Sequence, residues 1–196
     1  MSTVELSPAK LPEKTSDKAP EAKRVTLSGQ LSASAPVRDA QIGIAAPAVL
    51  LLRHVEIFEW TEHCVGDKCE YRKEWAAPVD SSRFKNAHGH QANPLRDKNP
   101  KPPFADARFV AAEIRLDAVS VDPALVEQQL KTVDLAVKPA DLPPNMAATF
   151  TVSDGLLYAG GDPAHPDIGT VRIGYRIIPT GPATLSGLQK GTHLTQ

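Results

Sequence analysis

The chain is poor in charge of one sign, in cysteine, in aromatic residues and in long apolar runs. Acidic residues number 23 and Lys plus Arg 22 in 196 residues, so the formal net charge is −1 and the sequence pI about 6.6. A nucleic-acid binder driven by bulk charge is excluded, and an anionic membrane surface finds little to attract. The longest uncharged apolar run, Ile42 to Leu52, is eleven residues with Pro47 inside it. A bilayer-spanning helix needs about 20, so no spanning helix is expected in these residues. MSTVELSPAK has no basic stretch followed by an apolar core and is not read as a secretory signal.

Catalytic motifs are equally scarce. There is no Gly-x-Ser-x-Gly elbow, and Ser81-Ser82 has no recognisable partner set. Gly160-Gly161 lacks the Gly and Lys that complete a phosphate loop. The histidines are His54, His63, His88, His90, His165 and His193. His88-Gly89-His90 suggests a metal, but no His-Glu-x-x-His or Cys-x-x-Cys accompanies it. No catalytic residue, metal or cofactor is therefore assigned.

What is present is enough apolar sequence, 41% hydrophobic, to build a core, and an excess of proline, 18 residues. Residues 1–23 mix Pro with Lys and Glu and read as a flexible leader or linker. Val4 and Leu6 alternate with Thr3 and Glu5, which allows a short edge strand over 2–6. A globular domain is expected over 24–179, followed by a polar, poorly ordered tail over 180–196.

Alternation over 25–29 predicts a strand, and Val49–Thr61 predicts a long one. Val49, Leu51, Val55 and Ile57 lie on one side of it, and Leu50, Leu52, Phe58 and Trp60 on the other. Being apolar on both sides, it is expected at the centre of its sheet. Glu70–Trp75 reads as the returning strand of a hairpin turning at Gly66-Asp67. Residues 78–105 read as a long proline-rich loop. Ala107–Val119 reads as one strand and 123–131 as a short helix, with Asp122 as N-cap and Val126, Leu130 and Val133 on one face. Thr149–Val152, Leu156–Ala159 and Thr170–Ile178 complete the strands. The fold class is α+β: strand-rich, mainly antiparallel, with one short helix.

Cys64 and Cys69 bracket four residues at the hairpin tip. In an oxidising compartment that position favours a disulfide; the alternatives are a metal or redox pair, or two free thiols in a cytosolic protein.

Several blocks together resemble the transmembrane protein 43 family, also called LUMA. They are Arg24–Leu31, Gly43–Trp60 (holding Arg53, Val55, Glu56 and Trp60), Trp75, Asp80–Phe84, Gly89-His90, Asn99-Pro100, Pro103-Phe104 and Asp162–Ile173. Thr170 stands where the family usually has an acid before Arg172, which puts an acid–arginine interaction there in question. The chain also carries extra residues between His90 and Asn99.

The resemblance implies a membrane protein whose spanning helices lie outside this chain, which matches the middle domain. It also implies a domain on the extracytoplasmic side, luminal or, in a bacterial member, periplasmic. The function implied is non-enzymatic: organising or maintaining membrane protein complexes, with membrane proteins and a second copy as partners and no nucleic acid. Candidate interaction residues are Arg53, Glu56, Trp60, Trp75, His90 and Arg172. The rival expectations are a metal-dependent hydrolase using His88, His90 and His165, and a lipid- or ligand-sensing module built around Phe58, Trp60 and Trp75.

Overall fold

The computed structural model describes residues 21–85 and 98–196, and strands dominate them. In chain order they are β1 (Lys23–Ala33), β2 (Val37–Arg38), β3 (Ala45–Ala46), β4 (Ala48–Val65) and β5 (Lys68–Ala76). A 3-10 turn at Ser81–Arg83 precedes β6 (Ala107–Val110), β7 (Ile114–Leu116) and β8 (Val119–Val121). Then come helix α1 (Pro123–Gln129), β9 (Val133–Leu135), helix α2 (Pro144–Ala147), β10 (Thr151–Ser153) and β11 (Leu156–Ala159). Last are β12 (Val171–Pro179), β13 (Gly181–Lys190) and β14 (His193–Thr195). The expected leader and the 2–6 strand lie almost wholly outside the described residues.

β1, β13, β14, β8 and β7 close into a five-stranded barrel. β1–β7–β8 form a meander, β8 runs parallel to β14, and β13 returns antiparallel to β1. With α1 between the third and fourth barrel strands, this is the strand order of an OB-type barrel. The second layer is a sheet in the order β10-β11-β12-β4-β5, with β6 also on β4 and β9 on β12.

β4 joins the two layers. Its apolar residues on both sides do place it centrally, with β12 on one edge and β5 and β6 on the other. Val49 and Leu50 enter the aliphatic barrel core with Leu31, Leu116, Leu185 and Leu194. Leu51, Val55 and Ile57 enter the sheet core with Leu157, Ile173 and Tyr175. Each fully buried Leu or Ile contributes about 1.5–3 kcal/mol. All ten aromatic residues lie between Phe58 and Tyr175, outside the barrel strands.

The hairpin and helix start follow local chemistry. Gly66, at φ +60°, and Asp67 join Val65 to Lys68. Asp122 accepts a hydrogen bond from the Ala124 N–H at 2.9 Å with Pro123 at the first helical position, and Leu125 and Val126 close the barrel end.

Three expectations are corrected. The single strand over Ala107–Val119 is three, because the chain leaves β4 in the sheet, crosses, and pairs with β1 in the barrel. The helix ends at Gln129, so Val133 lies on β9, half exposed, and not on a helical face. The tail is not poorly ordered: β13 and β14 supply the buried Leu185 and Leu194, and ordered structure runs to Thr195 rather than stopping at 179. Its polar appearance comes from an outward row of hydroxyls, with Thr26 paired to Ser186 and Ser28 to Thr184 at 2.8 Å each.

Candidate functional site: the outward face of the sheet

Alternation along β4 turns Leu52, His54, Glu56, Phe58 and Trp60 outward, and the register sets the first three opposite Arg176, Gly174 and Arg172 of β12. Glu56 lies opposite Arg172, and Arg172 Nε donates to Glu56 Oε2 at 2.6 Å. Both side chains are about a quarter exposed. Phe58 lies opposite Trp75 of β5, and Tyr158 of β11 opposite Arg172. The three rings interlock edge-on: Trp75 is 5.6 Å from Phe58 and 5.9 Å from Tyr158. The Arg172 guanidinium stands 4.6 Å over the Trp75 ring. Cation–π contact of this kind is worth about 1–2 kcal/mol where partly desolvated.

Beside this cluster runs a groove of about 880 Å³ with Leu52, Gly174, Leu135 and Leu156 among its floor residues. Gly174 keeps the floor open, since a Cβ there would come 3.1 Å from Leu156 Cδ2. The polar groups of the rim pair with one another, His54 Nδ1 with Asp106 Oδ2 at 3.2 Å and Arg176 Nε with Asp134 Oδ1 at 3.3 Å. The result is an amphipathic trough lined by groups of both signs, which Glu56 and Arg172 join to the aromatic cluster.

The inward face carries the polar groups that hold the fold. Arg53 is buried, and its NH1 meets Asp39 Oδ2, its NH2 meets Gln41 Oε1 and its Nε meets the Ala105 carbonyl, each at 2.8 Å. Tyr175 donates its hydroxyl to the same Asp39 oxygen at 2.8 Å, and burial followed by that bond drives the phenol pKa far up. Asp39 Oδ1 accepts the Gln41 and Ile42 N–H groups. Every polar atom of this buried pair is satisfied, the condition under which such pairs are tolerated.

Glu59 is also fully buried. One of its oxygens accepts the Val79 N–H at 2.8 Å, and the other has no partner among the described residues. Burial pushes its pKa up to about 7. Glu74, opposite it on β5, accepts from Thr61 Oγ1 at 2.5 Å and contacts His63 Nε2 at 2.6 Å, and these bonds hold its carboxyl below the usual range.

Among the residues singled out from sequence, Glu56, Trp75 and Arg172 come together. Trp60 lies farther along the same face under the Lys73 ammonium at 4.9 Å, its main chain bracketed by the Asn99 side chain at 3.0 and 2.8 Å. Arg53 is on the opposite, buried face. His88 and His90 lie outside the described residues, and His165 sits on an exposed turn 3.1 Å from Asp162. Cys64 and Cys69 form a disulfide with Cα atoms 4.1 Å apart. Their sulfurs, which lie near Glu62, are thereby withdrawn from metal binding. Arg172 also answers the question raised by Thr170: its acid comes from the neighbouring strand, while Thr170 Oγ1 bonds the Gly160 carbonyl at 3.2 Å.

Asp39, Glu59 and Tyr175 carry no site assignment from sequence, and Asn99 enters only through the Asn99-Pro100 block of the resemblance. Strand parity on β4 carried a signal for Glu59, which has the same inward parity as Leu51, Val55 and Ile57. Nothing local connects Asp39 with Arg53.

The model of the family described as Transmembrane protein 43 matches residues 60–196. Comparison with curated proteins and with solved structures finds no match.

Proposed function

This chain belongs to the transmembrane protein 43 family, a family of membrane proteins, and from that premise we propose that it is a non-enzymatic interaction module on the extracytoplasmic side. It serves a membrane-anchored protein by holding membrane protein complexes together, with other membrane proteins and a second copy of itself as partners. No helix among the described residues is long and apolar enough to cross a membrane.

One observation carries the reading: the outward sheet face gathers Glu56, Trp75 and Arg172 with Phe58 and Tyr158 beside an open trough. Aromatic residues and arginine set in a partly desolvated patch are what protein interfaces use as anchors. The Cys64–Cys69 disulfide supports an oxidising compartment.

The test is in-cell cross-linking of the full gene product, comparing the native protein with Trp75→Ala and Arg172→Ala. Cross-links to membrane proteins should fall sharply in both variants, an anchor residue being worth about 2 kcal/mol or more. Unchanged cross-links in folded variants would remove this face from the interaction. Labelling by a membrane-impermeant thiol reagent should require prior reduction of intact cells or vesicles; free cytosolic thiols would contradict the assignment of side.

A further inference from the structure

We infer that β5 is a homotypic docking edge, to which a second copy of this chain adds its own β5 antiparallel about a two-fold axis at Tyr71. The inference rests on the reading that the module self-associates, and it names the interface. Along Lys68–Trp75, β5 pairs with β4 and is the last strand on that side of the sheet among the described residues.

The direction of its main-chain groups follows from the turn. A two-residue loop makes Val65–Lys68 a hydrogen-bonded pair, and such pairs alternate along an antiparallel ladder. Cys69, Tyr71, Lys73 and Trp75 therefore turn their N–H and C=O away from β4. An independent contact agrees: Trp60, opposite Lys73, turns its own N–H and C=O away from β5 to the Asn99 side chain.

The side chains then select the register. On one side of β5 stand Lys68, Glu70, Arg72 and Glu74, with alternating signs. An axis at Tyr71 sets Lys68 opposite Glu74 of the second copy and Glu70 opposite its Arg72, each pair occurring twice. It also sets Cys69 opposite Lys73, so that the outward main-chain groups bond in phase. Moving the axis to Arg72 brings Glu70 against Glu74 and Arg72 against its own copy, like charge against like. An axis at Lys73 opposes two lysines at the centre, and one at Cys69 shortens the overlap. Edge strands are commonly protected by charge, but charges of alternating sign protect against strangers and complement themselves. The hairpin is clamped beside this edge by its disulfide.

The test uses this chain with the disulfide intact. Sedimentation should show a dimer that weakens with salt. Glu70→Lys, at an exposed position, should raise the dimer dissociation constant about tenfold or more, because it opposes like charges twice. The exchange Glu70→Arg with Arg72→Glu should restore it. A zero-length amine–carboxyl cross-linker on mixed light and heavy-isotope protein should join Lys68 of one copy to Glu74 of the other, a readout that needs no variant. A monomer at all concentrations, a dimer indifferent to Glu70→Lys, or inter-copy cross-links without Lys68–Glu74 would overturn the inference. Because the proposed function is tested through Trp75 and Arg172 in cells, failure at β5 leaves that result standing, and the reverse also holds.

Discussion

Ionising Glu59 should cost this fold several kcal/mol, and the effect can be isolated by replacing that carboxyl. The side chain is fully buried, one oxygen has no partner among the described residues, and its pKa rises from 4.5 to about 7. Below pH 4.5 the folded and unfolded chains both hold the proton, and nothing is lost. Between 4.5 and 7 the unfolded chain has released it while the fold keeps it, so stability falls as pH rises. Above 7 both are ionised and the full loss is present. At 1.36 kcal/mol per pH decade, the interval amounts to about 3 kcal/mol. Glu59→Gln keeps an acceptor for the Val79 N–H and places an amide nitrogen at the orphan position, at a pH-independent cost of about 1–3 kcal/mol. Urea unfolding of both proteins, followed by tryptophan fluorescence from pH 5 to 8, gives the difference. Contributions from groups common to both proteins largely cancel in it. Across that range the difference should move by about 2.5 kcal/mol in favour of Glu59→Gln as pH rises. A constant difference over that range would show that the Glu59 environment is wetter than its burial implies, and the reasoning would fail.

Arg53→Met should destabilise the fold by about 3–5 kcal/mol, since it strands Asp39 as an unpaired buried charge. Arg172→Met on the outward face should cost about 1–2 kcal/mol or less by the same denaturation measurement; equal losses would erase the distinction between holding group and surface group. Gly187→Ala should lower the melting temperature, because its Cβ would lie 2.2 Å from the Thr195 main-chain oxygen and 3.0 Å from Leu125 Cδ2. A neutral result there would mean that β14 does not close the barrel. Thiol titration of unreduced protein should find no free cysteine, and replacing both cysteines with serine should cost about 2 kcal/mol at most, the closed loop being so short.

Residues close together in sequence were legible. Alternation at Val171, Ile173, Tyr175 and Ile177 gave β12, Gly66-Asp67 gave the hairpin and put Cys64 opposite Cys69, and Asp122-Pro123 gave the helix start. The family resemblance likewise rested on short ordered blocks, and it found Glu56, Trp75 and Arg172 without showing that they touch. Such features are set by chemistry acting over a few residues: turn dihedrals, cap hydrogen bonds, and the two-residue period of a strand.

Only the tertiary structure decided the rest. Ala107–Val119 alternates like one strand, and its division between sheet and barrel depends on β4 and β1, which lie far away in sequence. The tail reads as polar because the outer side of β13 carries hydroxyls and only a few leucines point inward; it becomes ordered because barrel closure pairs it with β1. Arg53 reads as a surface contact until Asp39, Gln41, Tyr175 and the Ala105 carbonyl converge on it. The sequence by itself thus determined β1, β4, β5, β11 and β12, the hairpin that sets Cys64 opposite Cys69, and the absence of a long apolar run. Which charges are buried, which face outward and how the barrel closes were decided by long-range pairing, because each depends on a neighbour that local periodicity does not specify.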